Sequence, residues 1–74
     1  MQDYAIEISL ADGGRHVGFG QTGTASYAFA LQIRDNWQSW KVQRPNDFIT
    51  LDTGHGTTNI TAGDITEVQV RVGV

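Results

Sequence analysis

Alternation of apolar and polar residues is the feature that most constrains the fold of this chain. Near the N-terminus every second residue is large and apolar: Tyr4, Ile6, Ile8 and Leu10. A period of two predicts a strand with one buried face. An Asp-Gly pair follows at residues 12–13, and the alternation resumes at Val17 and Phe19, so the first two strands should form a hairpin. Gly18 and Gly20 interrupt the second strand, which predicts a bulge or a close backbone approach.

The same alternation predicts strands along the rest of the chain. Large residues at 27, 29, 31 and 33 alternate with small or polar ones, and the segment WQSWKV continues in extended form, with Trp37 and Trp40 on opposite faces. A turn around Pro45 and strands at residues 48–51, 57–61 and 66–72 complete the pattern. No window predicts a helix. The sequence therefore predicts a single all-β domain over residues 1–74, a small antiparallel sandwich or barrel of six to seven short strands.

The short length makes self-association an expectation. A chain of 74 residues buries only about 60% of its unfolded surface, so its core is marginal when alone. Cysteine is absent and histidine occurs twice, which excludes disulfides and disfavours a zinc site. Small scaffolds without such supports usually oligomerise. We expect a homo-oligomer that carries no cofactor and no metal.

The number and spacing of the charged residues disfavour two classes of binding partner. The net charge is −3, and the five basic residues are scattered along the chain. Nucleic-acid binding and anionic membranes both require clustered basic residues, so we expect neither partner. No apolar run approaches the roughly 20 residues of a membrane span. The N-terminus has no signal-peptide pattern, and the missing cysteines favour a cytoplasmic location.

The tripeptide Asp52-Thr53-Gly54 invites a catalytic interpretation, because aspartic proteases carry their catalytic carboxylate in Asp-Thr-Gly. Here His55 follows in place of a small residue, and the chain beyond is too short for a flap and closing strands. We interpret the segment instead as a turn in which Asp52 accepts backbone N–H bonds and the glycines take positive φ. No Ser-His-Asp arrangement has a specific spacing either. The sequence does not predict an enzyme.

Polar loops and tryptophans are the candidate ligand-binding groups. Hydroxyls, amides and a carboxylate form a good donor-acceptor set for a polar small molecule or a glycan. One tryptophan should anchor the core, and the other should stack on a sugar ring or fill a subunit interface. The candidate ligand-binding residues are Trp37, Trp40, Asn36, Gln21, Thr24, Ser26, Asp52, His55, Thr57 and Thr58.

Three segments, DYAIEISLADGG, QTGTASY and GTTNI, resemble the trp RNA-binding attenuation protein family. The resemblance implies a ring of small β subunits with a ligand pocket at each subunit boundary. Its counterpart positions are Gln21, Gly23 and Ser26 on one side, and Asp52, Gly54 and Thr58 on the other. The middle of the chain departs from the family by an insertion of about nine residues. The basic residues that contact RNA in the family have no counterparts here, so the resemblance implies no RNA binding.

These observations favour a non-enzymatic, homo-oligomeric binding module with a carbohydrate ligand. A ring-forming binder of small molecules is the first alternative. A structural subunit of a filament or phage particle is the second, and an aspartic-type hydrolase comes last.

Overall fold

The chain is mainly β, and its described residues form two antiparallel sheets and one long helix. A computed structural model describes residues 1–53 and 55–73. In chain order, the elements are β1 (Asp3–Leu10), β2 (Arg15–Gln21), α1 (Ala25–Gln43), β3 (Phe48–Asp52), β4 (Thr57–Thr61), a short 3-10 turn (Ala62–Asp64) and β5 (Ile65–Val72). The mainly β class is confirmed. The described residues form five strands rather than six or seven, because the middle of the chain is helical.

A three-stranded antiparallel sheet in the order β2-β1-β5 forms one layer of the fold. β1 lies in its centre, where Ile6 pairs with Gly18 of β2 and with Val70 of β5. Tyr4, Ile6 and Ile8 are buried on one face of the sheet, as the alternation predicts. The other face is described below as the outer face.

The predicted hairpin between β1 and β2 is confirmed. Gly13 has a φ of +89°, a conformation that an L side chain rarely adopts. The N–H of Gly14 donates to Asp12 Oδ1 at 2.7 Å, and the N–H of Leu10 donates to the Gly14 carbonyl oxygen at 2.8 Å. The turn chemistry of the Asp-Gly pair thus fixes the register of the first two strands.

The middle of the chain folds as α1, a helix of 19 residues, so the prediction of strands there is wrong. Thr24 begins the helix, because its hydroxyl accepts a hydrogen bond from the N–H of Tyr27 at 3.3 Å. This bond satisfies one of the free donors of the first turn. Pro45 lies just beyond the other end. A residue that precedes a proline rarely adopts helical backbone angles, which explains why Arg44 is the C-cap of the helix.

Burial along α1 explains why the helix is preferred to a strand. The side chains turned towards the core recur every three or four positions: Tyr27, Ala30, Ile33, Trp37 and Trp40. This spacing is the period of an amphipathic helix, and it coexists in the sequence with the period-two pattern. Both tryptophans consequently lie half-buried on one face of the helix. The prediction that they point to opposite faces is wrong.

β3 and β4 form a separate two-stranded antiparallel sheet in which Asp52 pairs with Thr57. The predicted turn between them is confirmed, but Asp52 is the last residue of β3 rather than a turn residue. The N–H of Thr53 donates to the Gly56 carbonyl oxygen at 3.0 Å, and Gly56 has the positive φ that was expected. Gly54, which was expected to share that conformation, lies outside the described residues.

α1 and the β3–β4 hairpin pack on the same face of the three-stranded sheet. The core joins Ile8 of β1, Ile33 of α1 and Leu51 of β3. A Cβ atom at Gly18 would lie 2.7 Å from the Asp52 carbonyl oxygen, so β2 and β3 approach each other closely there. This confirms the close backbone approach predicted for the second strand.

Candidate functional site

A groove runs between α1 and β3, and it is named the α1–β3 groove here. Its floor consists of side chains of β1, α1 and β3. Its aromatic end is lined by Phe29, Trp40, Arg44, Asp47 and Phe48, and encloses about 150 Å³. Its other end encloses about 70 Å³ above the buried residues Ile6, Ala30, Ile33 and Leu51, and it is named the polar end because Tyr4, Ser26, Thr50 and Asp52 line it beside Phe29. Phe29 lines both ends, so the two cavities are adjacent parts of one surface.

The aromatic end exposes more apolar surface than the fold requires. Phe48 is 68% exposed and Phe29 is 40% exposed, although the chain has only three phenylalanines. Trp40 is half-buried beside them, and the buried residues Ile49 and Ala62 close the bottom of the cavity. An exposed cluster of large apolar side chains with a polar rim is typical of an interaction site.

The polar end places a phenol near a carboxylate. Burial raises the pKa of Tyr4, and the negative charge of Asp52 raises it further. Both effects disfavour the phenolate, so the Tyr4 hydroxyl stays protonated over a wider pH range than in the unfolded chain. The Tyr4 ring also packs against that of Tyr27, with centroids 5.1 Å apart at an angle of 55°.

One edge of β3 carries backbone groups that its own sheet does not use. The N–H of Ala62 donates to the Asp47 carbonyl oxygen at 2.9 Å, just before the first residue of β3. Hydrogen-bonded and non-bonded pairs alternate in an antiparallel ladder, so the odd-numbered residues of β3 bond to β4. The N–H and C=O groups of Phe48 and Thr50 therefore point away from β4, and both residues line cavities that they share with Phe29 of α1. On the same edge, the Asp52 carbonyl oxygen lies close to Gly18 of β2.

The charged side chains of the described residues differ in whether they have an ion-pair partner. In the described part of the chain, Glu7 pairs with Arg15 at 3.9 Å and with Arg71 at 3.4 Å, and Arg34 pairs with its neighbour Asp35. Lys41 donates to the carbonyl oxygen of Ile65 at 2.7 Å. No carboxylate of the described residues lies within ion-pair distance of Arg44. The aromatic end of the groove thus contains a guanidinium for which the described residues supply no counter-ion.

Three of the residues predicted to bind ligand lie in the groove. Trp40 lines its aromatic end, and Ser26 and Asp52 line its polar end. Thr57 lies opposite Asp52 on the exposed face of the hairpin, whereas Thr58 is half-buried opposite Leu51.

The other predicted ligand residues are not brought together. Trp37 packs against the core, and exposed Asn36 donates to the Gln32 carbonyl oxygen on the surface of α1. Thr24 caps the helix, and its hydroxyl also donates to the Gln21 carbonyl oxygen at 2.8 Å. Gln21 lines a separate depression with Phe19, and His55 is exposed in the turn between β3 and β4.

Sequence reasoning missed the residues that dominate the aromatic end, namely Phe29, Phe48, Arg44 and Asp47. Phe29 was assigned to the same face as Tyr27 and Ile33, as the strand prediction required. Read with a helical period, Phe29 lies four residues before Ile33 at the margin of the buried stripe, where an apolar side chain is only partly covered. Phe48 gives no comparable signal, since an aromatic residue at the start of a strand is ordinary.

The groove offers aromatic faces, the Arg44 guanidinium, the carboxylates of Asp47 and Asp52, and the hydroxyl groups of Ser26 and Thr50. Within residues 1–53 and 55–73, no three His, Asp or Glu side chains are grouped so as to hold a metal ion. The described helices include none with the length and apolar character needed to cross a membrane.

Comparison of the chain with models of known protein families, with curated proteins and with solved structures finds no match. The resemblance to the trp RNA-binding attenuation protein family stays a prediction. The residues that this resemblance leaves as an insertion form the second half of α1 and the turn after it.

Proposed function

We propose that this protein is a non-enzymatic binding module that takes an extended peptide segment into the α1–β3 groove. The single observation that carries the proposal is the edge of β3 away from β4, where Phe48 and Thr50 line the groove and the alternation of the ladder leaves their backbone groups without a partner in β4. An extended peptide at such an edge gains main-chain hydrogen bonds, while pockets beside the edge select alternate side chains.

The dimensions of the groove suit this mode of binding. β3 spans five residues, which corresponds to roughly 13 Å at about 3.3 Å per residue. A peptide of four or five residues covers this length, and its alternate side chains point the same way about 6.6 Å apart. The aromatic and polar ends of the groove therefore receive side chains from different positions of one peptide.

Matched proline variants test the peptide proposal. Thr50→Pro removes the N–H that points away from β4 but leaves the ladder with β4 intact. Asn59→Pro makes the equivalent change on the opposite edge of the hairpin, because Asn59 pairs with Thr50. Peptides selected from a random display library against the wild type should bind Asn59→Pro and lose at least tenfold in affinity for Thr50→Pro. Equal affinity for both variants, or no selected peptide at all, contradicts the proposal.

Amide hydrogen exchange gives a second test that does not depend on a variant. A bound peptide should slow exchange at the Thr50 amide, because that N–H becomes hydrogen-bonded. The Val70 amide is the matched control. The N–H of Gly73 donates to the Asp3 carbonyl oxygen at 2.8 Å, so by the same alternation the Val70 N–H points to the open edge of β5. If the peptide slows exchange at the Val70 amide but not at the Thr50 amide, it binds to the open edge of β5 and the proposed site on β3 is wrong.

A carbohydrate ligand is the second candidate, supported by the exposed face of the β3–β4 hairpin. There Phe48 lies in a row with Thr50 and Asp52, and the Thr50 hydroxyl donates to Asn59 Oδ1 at 3.0 Å. An aromatic ring beside hydroxyl, amide and carboxylate groups matches what a sugar needs for stacking and hydrogen bonding.

A glycan array separates this candidate from the first. Sugar binding should be lost in Phe48→Ala and retained in Phe19→Ala, whose ring is similarly exposed on the outer face of the sheet. A sugar on the hairpin face should leave the exchange rate of the Thr50 amide unchanged, since that amide points to the edge of β3 away from β4. An array without hits for the folded wild-type protein removes the carbohydrate candidate.

Self-association remains part of the proposal. The outer face of the three-stranded sheet carries Phe19 across from Ala5 and Val17 across from Glu7. Phe19 is 58% exposed, so a second copy that covers this face buries a large apolar side chain and brings two sheets together as a sandwich. Sedimentation equilibrium should give a mass above that of one chain at micromolar concentration, and Phe19→Asp should lower it. A monomeric wild-type protein contradicts the proposed self-association and leaves the proposed peptide binding unaffected.

A further inference from the structure

Resting on the proposed peptide-binding function, we infer that the peptide carries a large apolar residue with a single acidic residue close to it. The apolar side chain fills the aromatic end of the α1–β3 groove. The acidic side chain pairs with Arg44. The chemistry of this end of the groove supplies the argument for each residue.

The cavity at the aromatic end has the size and lining of an apolar anchor site. It encloses about 150 Å³ between Phe29, Trp40 and Phe48, above the buried residues Ile49 and Ala62. A cavity of about 150 Å³ lined by apolar side chains is large enough to bind benzene. One phenylalanine, leucine or methionine side chain of a peptide therefore fits, and aromatic residues at the centre of an interface commonly contribute most of its binding energy.

Arg44 supplies the charge preference. Its side chain lines the same cavity, and none of the described carboxylates is within ion-pair distance of it. Arg15, Arg34 and Arg71 each have such a partner, so Arg44 differs from the other arginines of the chain. A guanidinium at the edge of an apolar cavity forms a strong, bidentate pair with a carboxylate.

Asp47 limits the number of acidic residues. It lines the same end of the groove, and its N–H donates to the Arg44 carbonyl oxygen at 3.1 Å, so the two residues belong to one short turn. A run of acidic residues in the peptide would meet the Asp47 carboxylate as well as the Arg44 guanidinium. The preference is therefore for one acidic residue beside the apolar anchor, with no further acid next to it.

The test uses a random nine-residue peptide display library selected against the wild-type protein, followed by fluorescence anisotropy of the most enriched peptide. Enriched sequences should share a large apolar residue with one Asp or Glu within two positions of it. Arg44→Gln should weaken binding of that peptide about tenfold, which is roughly 1.4 kcal/mol. Asp47→Asn should strengthen it, and Arg34→Gln, on the exposed side of α1 and away from the groove, should leave it unchanged.

The outcomes distinguish the inference from the proposed function. Enriched peptides without an acidic residue, bound equally by wild type and Arg44→Gln, overturn the inference and leave peptide binding in place. If the enriched peptides carry the acidic residue but bind the wild type and Thr50→Pro with equal affinity, the role of Arg44 stands and the proposed pairing with the β3 edge is wrong. A selection that enriches no peptide overturns both.

Discussion

The floor and the rim of the α1–β3 groove both contain residues of α1 and β3, yet these residues differ in what they contribute to the fold. Ile33 of α1 and Leu51 of β3 form the floor and are buried in the core. Phe29 and Phe48 form the rim and stay exposed. A short chain has few large apolar residues with which to build its core, and this one leaves two of them on one surface. The difference indicates that the floor stabilises the protein, and it supports the proposal that the rim contacts a ligand.

The largest expected effect concerns the floor. Ile33→Ala should lower the free energy of unfolding by about 2–5 kcal/mol, because it leaves a cavity in the core. Phe29→Ala, four residues earlier on the same helix, should cost no more than about 1 kcal/mol, since its ring is already partly in water. Urea unfolding monitored by circular dichroism measures both changes. If the two variants lose similar free energies of unfolding, the Phe29 ring contributes to the core as much as Ile33 does, and the distinction between floor and rim is wrong.

The second prediction concerns the contact that positions β3 against the sheet. Gly18→Ala should cost about 1–3 kcal/mol, because its Cβ atom would meet the Asp52 carbonyl oxygen at 2.7 Å and Leu51 Cδ1 at 3.0 Å. Gly14→Ala is the matched control. Its nearest neighbour is the exposed carboxylate of Asp12, which can rotate away at the expense of the hydrogen bond that it accepts from the Gly14 N–H, so the change should cost no more than about 1 kcal/mol.

Thermal unfolding of both glycine variants gives this comparison directly. A Gly18→Ala protein as stable as the wild type shows that β3 moves freely against β2, and the floor of the groove is then less rigid than its packing indicates. The same variant should also weaken peptide binding, because a displaced β3 changes the distance between the walls of the groove.

The smallest expected effect is a pH dependence at the polar end of the groove. The pKa of Tyr4 is raised in the folded chain by burial and by Asp52. The phenol therefore stays protonated in the folded state above its ordinary pKa of about 10. Its contribution to stability is complete below that pH and is lost as the pH rises through the raised, folded-state pKa.

Urea unfolding at neutral and strongly alkaline pH should show this loss, and Tyr4→Phe should reduce it. Asp52→Asn should reduce it in part, because it removes the smaller of the two causes and leaves burial in place. A Tyr4→Phe protein with the alkaline sensitivity of the wild type assigns the effect to another group.

The parts of the fold whose apolar residues follow a single period could be predicted from the sequence. β1 alternates cleanly and is followed by an Asp-Gly turn, so its strand, its buried face and its hairpin with β2 were all predicted. β3, β4 and β5 were located from short alternating segments between turns. The helix was missed because residues 27–33 satisfy a period of two and a period of 3.6 at once. Two of its start and stop signals, Thr24 and Pro45, were read as loop residues.

The candidate site could be predicted only in part. Trp40, Ser26 and Asp52 were chosen from sequence for their chemistry, and they lie in the α1–β3 groove. Phe29 and Phe48 were missed because exposure of an apolar residue follows from packing and not from residue type. Arg44 was missed because the lack of an ion-pair partner depends on which carboxylates lie near it in space.

The sequence by itself determined the local structure of this protein: where the five strands of the described residues lie, how the first hairpin turns, and which face of β1 is buried. These follow from backbone preferences and from side-chain periodicity within a few residues. Only the tertiary structure decided between strand and helix for residues 25–43. The helical form places Ala30, Ile33, Trp37 and Trp40 together against the sheet. The groove is a consequence of that packing, because it exists only where α1 and β3, distant in sequence, lie side by side on β1.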